Sequence, residues 1–218
     1  LLRLDSLYLF RPPMPISREH GLCFIHIPKT GGSSIESALG MKRHACFWDP
    51  ADRSRHGVTP QHWTLAQLRQ EVPDLARLTI FTMVRNPFDR LVSEFHHIRK
   101  INHPSPYHCI DFDSFVALAF RMPERRRRPF FDAHLEPQYR FTHQPWPWRR
   151  LPVTVLRFER IAEGFDALRR LTGKNLEFPH ELKSSRSRGH REYYAKPQTR
   201  RLVETFYARD LREFGYTF

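Results

Sequence analysis

The sequence predicts an α/β domain with a central parallel sheet flanked by helices. Three short runs of apolar and β-branched residues, at 22–27 (LCFIHI), 78–84 (LTIFTMV) and 152–158 (PVTVLRF), have the length and composition of buried strands. Each leads into segments with the apolar spacing of a helix, and strands alternating with helices build a parallel sheet. The 218 residues and 26.1 kDa are enough for one domain with a proper core. No internal repeat or linker divides them, so the expectation is one domain over residues 1–218.

Each element has a local reason. The first strand stops at Pro28; KTGGSS follows, Ser33 or Ser34 begins a helix, and Gly40 ends it. Residues 64–72 (TLAQLRQEV) suit a short helix capped by Thr64. The second strand meets Arg85-Asn86-Pro87, and Pro87 fits the first turn of a helix whose apolar face is Phe88, Leu91, Val92 and Phe95. A further helix is expected over 111–121, starting near Asp111 or Asp113. Residues 122–150 mix Arg, Pro and aromatics without a period and are expected to be irregular. After the third strand, 160–172 forms a helix with Ile161, Phe165, Leu168 and Leu171 on one side. Residues 174–194 read mostly as loop, and 198–214 as a last helix with Leu202, Val203, Phe206 and Leu211 inward.

Hydrophobic residues at 40% and charged residues at 27% describe an ordinary globular chain and exclude a disordered one. No stretch approaches the roughly 20 apolar residues that span a bilayer, and the apolar opening LLRLDSLYLF carries Arg3 and Asp5, which makes a poor signal peptide. With no N-x-[ST] site, the expectation is a cytoplasmic bacterial protein, or a Golgi-lumen protein if the chain is a piece of a eukaryotic enzyme. Cys23, Cys46 and Cys109 make neither a disulfide framework nor a CxxC zinc motif. The 36 basic side chains against 23 acidic ones leave +13, of which residues 110–218 carry +8 and the first half +5. A positive charge spread along the whole chain favours anionic partners: nucleic acid, phosphorylated cofactors or acidic polymers.

Two segments carry chemistry. Pro28-Lys29-Thr30-Gly31-Gly32-Ser33-Ser34 joins a strand to a helix. Its glycines allow a sharp turn that exposes successive N–H groups, and the helix adds its unsatisfied N–H groups and positive dipole end. Thr30, Ser33 and Ser34 supply hydroxyls and Lys29 a point charge, so the loop is a phosphate cradle. It is not a Walker A loop, because its lysine precedes the glycines. The bland alternative is a tight turn with a surface lysine. The second segment is Arg85-Asn86-Pro87-Phe88-Asp89-Arg90-Leu91-Val92-Ser93. Arg85 stands at the carboxyl end of a strand, where open α/β sheets bind ligands. Ser93 lies about two helical turns on. Together they can clamp a phosphate; alternatively Arg85 pairs with an acidic residue and Ser93 faces solvent.

The two segments in this order, FIHIPKTGGSSIE and TMVRNPFDRLVSEF, resemble the sulfotransferases that use 3′-phosphoadenosine-5′-phosphosulfate (PAPS). More narrowly, they look like the branch of carbohydrate O-sulfotransferases and their bacterial relatives. HLEPQ at 134–138, VLRFERIAEGFDAL at 155–168 and YARDLREFGY at 207–216 extend the resemblance over most of the chain. It implies a P-loop-like three-layer domain. It also implies that Thr30, Gly31, Gly32, Ser33 and Ser34 hold the 5′-phosphosulfate, that Lys29 stabilises the leaving phosphate, and that Arg85 and Ser93 read the 3′-phosphate. Lys183-Ser184-Ser185-Arg186 is the candidate to cover the adenine, with Ser185 and Arg186 as cofactor-binding residues. PAPS is the implied co-substrate, 3′,5′-ADP the product, and no metal is expected.

In-line sulfuryl transfer needs a base for the acceptor proton, and histidine suits that task. RHGVTPQHWTLAQL offers His62, just before a helix where relatives place a histidine, and His56 in a glycine-containing loop as the alternative. His26, inside the first strand, is expected to be a packed core histidine, and Glu36 to face solvent. His134 and Gln138 of HLEPQ resemble a segment near the acceptor site. Arg125-Arg126-Arg127-Arg128 is a solvated face or a steering patch for an anionic acceptor. The resemblance makes a sugar hydroxyl the default acceptor. Two other readings compete: a nucleotide-dependent phosphotransferase, which lacks its Walker lysine, and a basic nucleic-acid-binding domain, which lacks a recognition motif.

Overall fold

A computed structural model describes residues 15–41, 56–101, 109–124, 126, 131–145, 150–173, 175 and 188–218. Its middle layer is a sheet of β1 (Ile16–Ser17), β2 (Leu22–Ile25), β3 (Thr79–Val84) and β4 (Val153–Arg157), paired in that order. β1 runs antiparallel to β2, while β2–β3 and β3–β4 are parallel. The helices among the described residues are α1 (Gly32–Ala38), α2 (Leu65–Glu71), α3 (Pro87–Lys100), α4 (Phe112–Arg121), α5 (Tyr139–Thr142), α6 (Ile161–Thr172), α7 (Pro197–Phe206) and α8 (Ala208–Phe214). The predicted three-layer α/β architecture is what the chain adopts.

Strand alternation divides the core between the two faces of the sheet. Leu22 and Phe24 of β2 and Phe81 and Met83 of β3 pack with Ile35 and Leu39 around α1 and with Phe165 and Leu168 of α6. Cys23 and Ile25, with Ile80 and Val84, point the other way onto Leu65 and Leu68 of α2. A further apolar cluster joins α3, α4 and α7 through Phe88, Leu91, Val92, Phe115 and Val203. Both faces being covered explains why the strands read as near-continuous apolar runs.

The expected caps are present. Thr64 closes a capping box with Gln67 at the start of α2, Asp111 caps α4 by accepting from Ser114 N, and Pro87 opens α3 behind an Asn86 cap. Several elements differ from the sequence reading. β1 is two residues long and leaves no periodic signal. β2 ends at Ile25, because His26 leaves the ladder to bond Glu36. The stretch 122–150 includes α5. The helix expected over 198–214 breaks at Tyr207, whose hydroxyl donates to Leu135 O while Asp210 accepts from Gln138 N and Tyr139 N. Those tertiary anchors turn the chain between α7 and α8.

Arg90 ties this framework to segment 134–138. It is 1% exposed, lies over the Tyr207 ring, and donates to His134 O at 3.0 Å and Glu136 O at 2.7 Å. Arg90→Met keeps the stem but strips two carbonyls of charged donors, each worth roughly 1.5–3 kcal/mol. The variant should lose about 3 kcal/mol or more in urea unfolding; a loss under about 1 kcal/mol would show that the segment is held by other means.

Candidate active site

Parallel pairing of β2 with β3, from Leu22 opposite Thr79 to Ile25 opposite Thr82, brings the chain exits of both strands to one edge of the sheet. One exit is the loop 26–31 and the other is Arg85. The loop turns at Lys29, whose φ of 66° is left-handed, and at Gly31, whose φ is 85°. A left-handed lysine costs on the order of 1–2 kcal/mol, so its neighbours must hold it. Thr30, fully buried, donates through Oγ1 to Ile27 O at 2.8 Å. Arg85 Nη1 donates to Lys29 O at 3.1 Å.

Gly32 opens α1 and fits only a glycine. A Cβ there would stand 2.3 Å from the His26 ring. That ring cannot retreat easily: His26 Nδ1 is 2.8 Å from Glu36 Oε1, and Gln61 Nε2 donates to Glu36 Oε2 at 2.7 Å. Glu36 is 4% exposed, which corrects the expectation that it faces solvent; its partner is buried too. His26 is buried as expected, but as a hydrogen-bonded support beneath the loop. Ser33 is exposed and Ser34 half-buried on the first turn of α1.

Arg85 is 4% exposed and fixed from several sides. Its Nε donates to Asp89 Oδ2 at 2.7 Å, its Nη2 is 2.6 Å from the same oxygen, and its guanidinium lies 4.1 Å from the Phe158 ring centre. Asp89, Ser93 and His97 follow at intervals of four on α3 and so share one face. Ser93 is half-buried there. Gln138, fully buried, accepts from Arg85 N at 2.9 Å and donates to Arg85 O at 2.8 Å. The structure thus places Gln138 against the Arg85 backbone.

Beside this edge, His62, His134 and His26 are in ring contact: His62 meets His26 edge-on at 5.2 Å and His134 at 5.1 Å, and His97 stacks on His134 at 5.6 Å. His62 Nδ1 is 2.8 Å from Asp132 Oδ2, and Asp132 also accepts from Thr59 Oγ1 and Thr59 N. His134 Nδ1 is 2.7 Å from Glu94 Oε2. A carboxylate at Nδ1 favours the tautomer whose N–H donates there, so that Nε2 is the accepting nitrogen of the neutral ring. His56 instead bonds Glu71 at 3.0 Å and lies edge-on to Trp63, apart from these rings. Ser185, Arg186, Arg125, Arg127 and Arg128 lie outside the described residues, and Arg126 is exposed.

Electrostatics bind the parts together. Burial alone would raise the Glu94 carboxyl, but His134 and the nearby Lys29 and His97 hold it down at about 2. Burial opposes Asp132 in the same way, and its bonds to His62 and Thr59 bring it to about 2. Lys29 is lowered by burial, with Arg85 and Lys100 adding to the effect and Glu94 opposing it. His97 is lowered to about 4, first by burial and then by Lys29, His134 and Lys100 against Glu94. Asp132, Glu94 and Gln61 escape a reading of the sequence, because each meets its partner through the fold; Asp89, four residues from Arg85, is the acidic partner that the alternative reading of Arg85 allowed.

The donor set suits a ligand with two anionic groups. Lys29, the loop hydroxyls and backbone N–H groups stand at one exit, and Arg85 and Ser93 at the other. The glycine at 32 is required by the His26 ring packed beneath the loop; the fit to a ligand rests on the donors, whose two groups match the charges of the phosphosulfate and the 3′-phosphate of PAPS. Among the described residues, no group of three or more His, Cys, Asp or Glu could hold a metal ion, and no helix is long and apolar enough to cross a membrane.

A profile of the sulfotransferase family matches residues 12–217. No curated protein matches the chain.

Two outcomes follow from this geometry. Gly32→Ala should cost about 1–3 kcal/mol, the scale of overpacking, in denaturant unfolding; an unchanged midpoint would mean that the His26 ring is not clamped. Stability should also fall in acid. The folded His97 takes up a proton near 4 and the unfolded one near 6.5, so stability begins to fall below pH 6.5. Asp132 and Glu94 contribute fully above their unfolded values of 3.8 and 4.5, and that contribution is lost as pH falls towards about 2. Urea unfolding from pH 7 to 2 should show both windows, and His97→Gln should remove the upper one; a profile unchanged by that substitution would contradict the assignment.

Proposed function

Because the chain belongs to the sulfotransferase family, we propose that it transfers a sulfuryl group from PAPS to an acceptor hydroxyl, releasing 3′,5′-ADP. Residues 1–218 act as one sulfotransferase domain in this reading. The observation that carries it is the meeting of the two exits: Arg85 bonds the Lys29 carbonyl, and Ser93 stands one helical turn beyond Asp89 on the face that Arg85 adjoins. One site can then hold both anionic ends of the same nucleotide.

Bound PAPS supplies an activated sulfuryl group on its 5′-phosphate. Thr30, Gly31, Gly32 and Ser33 bind that end through backbone N–H groups, and Ser33 and Ser34 through their hydroxyls. Lys29 directs its ammonium at the oxygen that gains charge as the sulfur–oxygen bond breaks, an interaction stronger in the transition state than in the ground state. Arg85 and Ser93 bind the 3′-phosphate, with Gln138 positioning Arg85 through its backbone. Ser185 and Arg186, outside the described residues, are assigned to the adenine by the resemblance alone.

His62 accepts the acceptor proton at Nε2. Asp132 orients its ring and stabilises the imidazolium that forms, as a carboxylate does behind a general base. His134, in contact with His62 and oriented by Glu94, lies beside the acceptor. The resemblance to carbohydrate O-sulfotransferases makes a sugar hydroxyl the acceptor class, and the net charge of +13 suits an anionic one. A phosphotransferase would leave the Arg85–Ser93 pair unexplained, and a nucleic-acid binder would leave the paired histidines and carboxylates unexplained.

The test is transfer of labelled sulfate from PAPS to a panel of sugars, lipids and small hydroxyl compounds. Wild type should label a sugar. Lys29→Ala and His62→Ala should each fold and lose on the order of 10²-fold or more in kcat, while His56→Ala should lose less. Loss confined to His56→Ala or His26→Ala would move the base to that residue. No transfer to any acceptor by a chain that binds 3′,5′-ADP would refute the acceptor classes, and near-normal kcat in Lys29→Ala would remove the lysine from the chemistry.

A further inference from the structure

Asp89 is a carboxylate set between two groups expected to bind an anion. It accepts from Arg85, and it sits one helical turn before Ser93 on the same face of α3. Charge alone makes this a poor choice for a 3′-phosphate site, because the carboxylate repels the ligand and shares its arginine. His190 Nδ1 also lies 3.9 Å from Asp89 Oδ1, and the α3 N-terminus favours an acid in the first turn. Neither feature explains why the acid is bonded to Arg85.

The loop opposite supplies the reason. Lys29 holds a left-handed backbone conformation that a non-glycine residue adopts at a cost, and the carbonyl of that residue is bonded by Arg85 Nη1 at 3.1 Å. For that bond to form, the guanidinium must point at the loop. Asp89 fixes its Nε and Nη2 edge, and Phe158 supports its face at 4.1 Å. With the edge and the face both occupied, Nη1 is directed at Lys29 O. We infer that Asp89 is a positioning residue for the 5′ loop: through Arg85 it props the left-handed turn at Lys29 and so shapes the cradle that receives the phosphosulfate.

This inference rests on the PAPS reading and adds a coupling to it. The arginine of the 3′-phosphate site is at the same time a strut of the 5′-phosphosulfate site. Removing the acid should therefore have opposite effects at the two ends of the nucleotide. The 3′ end loses a repulsive charge, while the 5′ end loses its support.

The experiment measures, by calorimetry, the affinities of two half-ligands for wild type and Asp89→Asn. Adenosine 5′-phosphosulfate lacks the 3′-phosphate, and 3′-AMP lacks the 5′ group. Asp89→Asn should bind adenosine 5′-phosphosulfate at least fivefold more weakly and 3′-AMP as well as wild type or better. An Asp89→Asn variant with unchanged affinity for adenosine 5′-phosphosulfate overturns the strut, as does an equal loss for both ligands, which marks a general loss of structure. If Asp89→Asn does not fold, Asp89→Glu keeps the carboxylate charge and displaces the guanidinium by one methylene; adenosine 5′-phosphosulfate should then bind at least fivefold more weakly with no gain for 3′-AMP, and unchanged affinity for adenosine 5′-phosphosulfate counts equally against the inference. A wild-type chain that binds neither half-ligand nor 3′,5′-ADP refutes the PAPS reading itself, a result distinct from failure of the strut in a chain that binds them.

Discussion

The parallel pairing of β2 with β3 is the constraint on which the site depends. Its register, with Ile25 opposite Thr82, brings two segments 56 residues apart to the same edge, so that Arg85 can bond the backbone of Lys29. The burial on both faces that fixes this register also fixes the site: a slip of one residue would turn Phe24 and Phe81 out of their cluster with Ile35 and Leu168. The helices that follow, α1 and α3, then carry Ser33, Ser34, Ser93 and Glu94 to positions around that edge.

Around the edge, each cationic or basic group is met by a carboxylate. Arg85 has Asp89, His62 has Asp132, His134 has Glu94, and Lys29 feels Glu94. Such pairing lowers the net attraction for an anion but holds the donors in place, so less reorganisation is needed when charge develops. His26 and Glu36 do the same for the loop from below, through the contact that makes glycine obligatory at 32. Activity and stability are therefore joined in these residues: Asp132 and Glu94 both orient histidines and contribute stability that is lost in acid.

The sheet was legible because buried parallel strands are short, apolar and followed by helices, and the helix starts were legible through Thr64, Pro87 and Asp111. Local chemistry also marked the loop and Arg85, as glycines, a lysine and a strand-end arginine. What the sequence hid was the partnership between distant residues. Glu36 looked like a solvated helix acid, yet it faces a histidine ten residues earlier in the strand exit. Asp132 meets His62 across 70 residues, and Gln138 meets Arg85 across 53. The break at Tyr207 depends on contacts with Leu135, Gln138 and Tyr139, which helical periodicity cannot report.

One nucleotide site spanning both strand exits is the central claim. Its most direct measurement is a calorimetric comparison of 3′,5′-ADP with 5′-ADP on the wild-type chain. Charge-assisted hydrogen bonds to the 3′-phosphate, worth roughly 1.5–3 kcal/mol each, predict at least tenfold tighter binding of 3′,5′-ADP. Equal affinities would contradict the claim, because Arg85 and Ser93 would then read nothing.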